Sequence, residues 1–92
     1  MRINVTQKHI DDGLRRTRGG TKNENEAEFC PVALAIKEAL RTSNVVVGFL
    51  YANINGEIVQ LPDDVTTRIR HLYNPVGHRA IPFEFELAYA PT

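Results

Sequence analysis

A chain of 92 residues, 42% hydrophobic and 24% charged, has room for one domain with one modest core; at this length roughly 60–65% of the unfolded surface is buried on folding. Eleven basic and eleven acidic residues leave a formal net charge of zero, so no global field draws the protein to nucleic acid or an anionic membrane. A single cysteine excludes an internal disulfide framework, no run approaches the roughly 18 apolar residues of a membrane span, and MRINVTQKHI lacks the apolar centre of a secretion signal, which together predict a cytoplasmic protein.

In chain order, RINV alternates, with Ile3 and Val5 on one side and Arg2 and Asn4 on the other, and predicts a short half-buried strand. In TQKHIDDG, Thr6 suits a helix N-cap and Gly13 a helix stop, so one or two helical turns are expected, with Ile10 and Leu14 facing the core together. Residues 15–28 show no periodicity. Gly19, Gly20 and the run of Asn and Glu mark a flexible loop, longer than most in compact domains.

FCPVALAIKEALR carries the strongest helical pattern. Pro31 fits the first turn, where its missing N–H costs nothing. Phe29, Val32, Ala33, Ile36 and Leu40 form one stripe, while Lys37, Glu38 and Arg41 lie opposite. Residues 45–52 are apolar on both faces and predict a central strand. Asn55-Gly56 is a type I′ turn signal, so 57–61 should return as the second arm of a hairpin. PDDVTTRIRHLYN predicts another helix, with two aspartates at its positive end and Val65, Ile69, Leu72 and Tyr73 on one face. After NPVGH, IPFEFELAY alternates, sending Ile81, Phe83, Phe85, Leu87 and Tyr89 to the core and Glu84 and Glu86 to solvent. The sum is a single α+β domain over 1–92, with two or three helices packed on one mainly antiparallel sheet of about four strands.

Chemistry-bearing residues are few. Cys30 stands at a helix start, where backbone N–H groups can activate a thiol, but the same position suits a small buried apolar residue. His9, His71 and His78 do not combine with Cys30 in any zinc-ligand spacing, and no metal or cofactor is expected. Glu84 and Glu86 share a strand face; a solvated face explains them without acid–base chemistry. RRTRGGTK lacks the spacing of a phosphate-binding P-loop. It leaves Arg15, Arg16, Arg18 and Lys22 clustered within eight residues, close to a helix start, where guanidiniums and amides can clamp an anion. The competing reading is a solvated connector, since Glu24, Glu26 and Glu28 follow at once. Finally, Val46, Gly48, Leu50 and Ala52 form a second apolar strand face, which either a further helix or a second copy of the chain would cover.

VTQKHIDDG, CPVALAIKEAL, VVVGFL and PFEFEL together resemble a group of small proteins found widely in bacteriophages and bacteria, over most of the chain. Many members place a second cysteine in a shorter turn just before the helix; here that turn is the expanded arginine and glutamate loop. The resemblance implies a phage setting, the host cytosol as location, and an anti-defence role such as sequestering a nucleotide immune signal. No nucleophile–base pair or cofactor fingerprint speaks for an enzyme. The expectation is therefore a non-enzymatic, homo-oligomeric binding protein that captures an anionic small molecule such as a cyclic nucleotide. The alternative is an accessory protein that binds a host protein, or nucleic acid through Arg15, Arg16 and Arg18 with Arg68 and Arg70.

Overall fold

The computed structural model describes residues 1–18, 29–48, 50–73 and 81–89. The elements run β1 (Arg2–Val5), α1 (Gln7–Arg18), α2 (Pro31–Leu40), β2 (Val45–Val47), β3 (Tyr51–Ile54), β4 (Glu57–Gln60), α3 (Asp63–Tyr73) and β5 (Phe83–Glu86). The α+β class and the antiparallel pairing agree with the sequence. The single four-stranded sheet does not: the strands divide into a two-stranded sheet, β1–β5, and a three-stranded meander, β2–β3–β4.

One difference lies in residues 45–52, expected as one central strand and found as two, β2 and β3. The chain instead reverses between Val47 and Tyr51, closed by a 2.8 Å hydrogen bond from the Gly48 N–H to the Tyr51 carbonyl. A continuous apolar run does not distinguish one long strand from two short ones joined by a glycine turn. The second hairpin forms as expected, with Asn55 at φ 53° and Gly56 at φ 89°, the left-handed pair that a type I′ turn requires. Its register sets Asn53 against Ile58 and Ile54 against Glu57.

Helix α1 begins as expected and ends late. Thr6 caps it: its Oγ1 accepts from the His9 N–H at 3.3 Å, and its own N–H donates to His9 Nδ1 at 3.0 Å, a reciprocal capping box with an imidazole in the place of the usual Glu or Gln. Gly13 does not stop the helix, which continues to Arg18, so residues 15–18 are helical and the expected loop over 15–28 is reduced; 19–28 lie outside the described residues. Gly13 serves packing instead. It is buried, and a Cβ built on it would lie 2.6 Å from the Pro31 nitrogen. The two helices therefore run antiparallel in near-backbone contact, with Gly13 against Pro31 at one end and His9 against Glu38 nearer the other.

Helix α2 starts at Cys30, whose Sγ accepts from the Ala33 N–H at 3.4 Å, and carries Pro31 in its first turn. It ends through Arg41 in the left-handed region, with the Thr42 N–H reaching the Lys37 carbonyl at 3.2 Å, the bond of a Schellman termination. It packs on β1 and β2, while α1 lies along it. Ile3, Val5, Ile10, Val32, Ala33, Ile36, Val45, Ile54, Val65, Phe85 and Leu87 make one continuous core. Within α3, Val65 and Ile69 are buried as expected; the Leu72 and Tyr73 side chains lie outside what is described. Ile81, expected in the core, precedes β5 and is 54% exposed: the apolar alternation in the sequence extends beyond the pairing, which begins at Val5 opposite Phe83.

Candidate functional site

The two sheets face solvent in opposite chemical styles. On β1–β5 the outward residues are Arg2, Asn4, Glu84 and Glu86, all exposed. Arg2 bridges Glu84 at 2.7 Å and Glu86 at 3.2 Å, and the Met1 amino group lies 3.0 Å from Glu86. A hydrogen bond from that amino group holds the Glu86 carboxyl below its ordinary pKa, against a smaller opposing effect of burial. This is the solvated carboxylate face that the alternation of 83–87 predicts; exposed pairs of this kind contribute little individually.

On β2–β3–β4 the register aligns Val46, Asn53 and Ile58 in one row and Tyr51 with Gln60 in the next. Val46 is 40% exposed, Ile58 62%, Tyr51 50%, and Leu50 in the turn beside them 54%. Every side chain in those rows is uncharged. The opposite side of the same strands, Val45, Val47, Ala52, Ile54 and Val59, is core. Of the residues expected on a second apolar strand face, Val46 and Leu50 are exposed, whereas Ala52 is fully buried, because the reversal at Gly48 breaks the two-residue period. Tyr51 and Ile58 were overlooked, although counting outward from the Asn55-Gly56 turn pairs Ile58 with Asn53 and reveals the face.

The expected anion cluster is only partly visible. Arg15 is exposed on the last turns of α1 and bridges Asp12 at 2.7 Å. Arg16 and Arg18 continue the same helix, but their side chains, and all of Lys22, lie outside the described residues. The antiparallel hairpin does set the arginine-bearing end of α1 beside the amino end of α2, since Gly13 abuts Pro31. Cys30 is buried there, its sulfur accepting a helix N–H, in line with a small core-edge residue.

The sequence gives no warning of one polar link. His9 is 7% exposed, and both ring nitrogens are engaged. Nδ1 accepts the Thr6 N–H at 3.0 Å, which leaves the ring proton on Nε2, donated to Glu38 Oε2 at 2.7 Å. That bond holds the Glu38 carboxyl below its ordinary pKa, with the nearby Lys8 charge adding a smaller effect and burial opposing. Thr6 Oγ1 lies 3.1 Å from Nδ1, giving a hydroxyl–imidazole–carboxylate order. The Nδ1 lone pair is committed to a backbone N–H, however, and cannot also take the hydroxyl proton; the trio serves to cap α1 and tie it to α2. The Thr-x-x-His spacing is its only trace in the sequence.

Two smaller features complete the surface. Asn4, Val5, Thr6, Gln7, Pro82, Phe83 and Glu84 line a shallow, open depression of about 520 Å³. The Arg68 guanidinium stacks 4.9 Å from the Phe83 ring beside it, a cation–π contact. Among the described residues no group of three or more His, Cys, Asp and Glu could hold a metal ion, and no helix is long and apolar enough to cross a membrane. Comparison with protein-family models, curated proteins and solved structures returns no match for the chain.

The Glu38 link carries a pH prediction. Its carboxyl is depressed in the folded state, so its contribution is present above the unfolded glutamate value of about 4.3 and is lost as pH falls through the lower folded value. Urea unfolding at pH 5 and pH 3 should show a smaller acid loss for Glu38→Gln than for wild type; Glu86 contributes with the same sign and remains in both. Equal losses would show that the His9–Glu38 bond contributes nothing in solution.

Proposed function

We propose that this protein is a non-enzymatic binding protein and that its working surface is the outward face of β2–β3–β4, on which it docks another protein chain. The observation behind this reading is the contrast within one small molecule. One sheet presents a ladder of charges to water; the other presents Val46, Leu50, Tyr51 and Ile58. Isolated exposed apolar residues are ordinary, but contiguous ones on a regular face form the sort of patch, roughly 300–600 Å² on a monomer, that is often functional. The test is methyl NMR of labelled protein in dilute buffer and in host lysate. Docking predicts shifts or broadening at Val46, Leu50 and Ile58 and none at buried Ile3 and Ile36. Unchanged methyls in lysate at every concentration would overturn it.

A second reading rests on the helical hairpin. The end of α1 that bears Arg15, Arg16 and Arg18 lies beside the start of α2, where backbone N–H groups favour an anion, and Lys22 follows closely in sequence. An anionic small molecule such as a cyclic nucleotide would be captured there, in keeping with a phage anti-defence role. Replacing Arg15, Arg16 and Arg18 together by alanine should abolish binding of cyclic dinucleotides in calorimetry and leave the melting temperature nearly unchanged. Full binding by the triple variant would remove this reading and leave the sheet face untouched. Nucleic-acid binding is less favoured, because Arg68 is occupied on Phe83 and the chain is neutral.

A further inference from the structure

Resting on the docking reading, we infer that the chain seated on the β2–β3–β4 face is a second copy of this protein. The chemistry of the face selects it. A partner recognised by charge would need complementary charge here, and Val46, Tyr51, Asn53, Ile58 and Gln60 offer none, although 24% of the chain is charged. The same lack of charge makes the face compatible with itself: two copies meet without any like-charge juxtaposition, and the formally neutral chain adds no long-range repulsion.

The register supplies the symmetry. β3 is the central strand, with Val46 on one side of Asn53 and Ile58 on the other. A two-fold axis lying in the interface along β3 sets each Val46 against the partner subunit's Ile58 and brings the two Asn53 amides together. That is an isologous contact of branched aliphatic on branched aliphatic and amide on amide, with the sheets packed face to face about 10 Å apart. Asn53 is already oriented, since its Oδ1 accepts the Gly56 N–H at 2.9 Å. With only four exposed apolar side chains on it among the described residues, Val46, Leu50, Tyr51 and Ile58, the contact belongs with weak interfaces, so half-dimerisation is expected at tens of micromolar, on the order of 10–100 µM.

Sedimentation of the purified full chain from about 5 to 500 µM tests this against that expected range, alongside Val46→Lys and Ile58→Glu. Both sites are exposed, so both variants should keep the wild-type circular dichroism. The expected result is a dimer for wild type, at least tenfold weaker association for each variant alone, and recovery on mixing them, because the symmetry sets the new lysine opposite the new glutamate. A wild type that stays monomeric throughout overturns the second-copy proposal, as does a dimer unaffected by either variant or one that mixing fails to restore. If purified protein is monomeric while lysate still shifts the Val46, Leu50 and Ile58 methyls, the docking reading stands and only the identity of the partner is wrong; if neither changes, both fail.

Discussion

Replacing Phe85 by alanine is expected to cost about 3–5 kcal/mol, the usual penalty for emptying a buried aromatic site. Phe85 is 5% exposed in the centre of β5, opposite Ile3, and continues the core formed by Val32, Ile36 and Leu87. A domain of this size has about 5–15 kcal/mol in total, so the variant should melt far below wild type or populate the unfolded state at room temperature. Because β5 is the one strand partner of β1 among the described residues, the loss should extend to the Ile3–Phe85 pairing and appear as faster amide exchange across both strands. A measured cost under 1 kcal/mol would mean that the faces of β5 are reversed.

A smaller but still substantial effect is expected at Gly13, by the opposite mechanism. A Cβ there meets the Pro31 nitrogen at 2.6 Å and its ring carbons at 2.7 and 2.8 Å. The obstacle is backbone and a closed ring, neither of which can rotate away. Alanine gains about 1 kcal/mol of helix propensity, yet the helices must separate to admit it, so Gly13→Ala should still destabilise, by about 1–3 kcal/mol for overpacking. Gly13→Val should be worse still, since its branched side chain also restricts χ1 in a helix. Urea titration distinguishes this account from the helix-stop reading: a glycine acting only as a terminator would tolerate alanine or gain stability from it.

These two residues also mark how far the sequence could be read. Phe85 was legible because a strand with one buried face writes a two-residue period into the chain, and nothing interrupts that period between Phe83 and Leu87. Gly13 was misread because the same residue signals a helix end and a close helix crossing; only the position of Pro31, eighteen residues further on, decides between them. Residues 45–52 failed for a related reason, since an apolar run buried on one side and open on the other resembles one buried on both. The His9–Glu38 link joins residues 29 apart and has no local signature beyond the spacing to Thr6. Of the open sheet face, Val46 and Leu50 were visible, but its second row and its lack of charge emerged only once the Asn55-Gly56 turn had fixed the register.

The central claim is that an uncharged sheet face is open in the single chain and closes on a second one. Solvent paramagnetic relaxation of the Val46, Leu50 and Ile58 methyls, measured at low and at high protein concentration with a soluble relaxation agent, tests it most directly. The account predicts strong relaxation of all three in dilute protein, approaching that of a surface methyl, and a marked fall at high concentration while buried Ile3 and Ile36 stay protected throughout. Methyls already shielded at the lowest concentration would place the face inside the fold, and methyls equally exposed at the highest would leave it without its partner; either result contradicts the account.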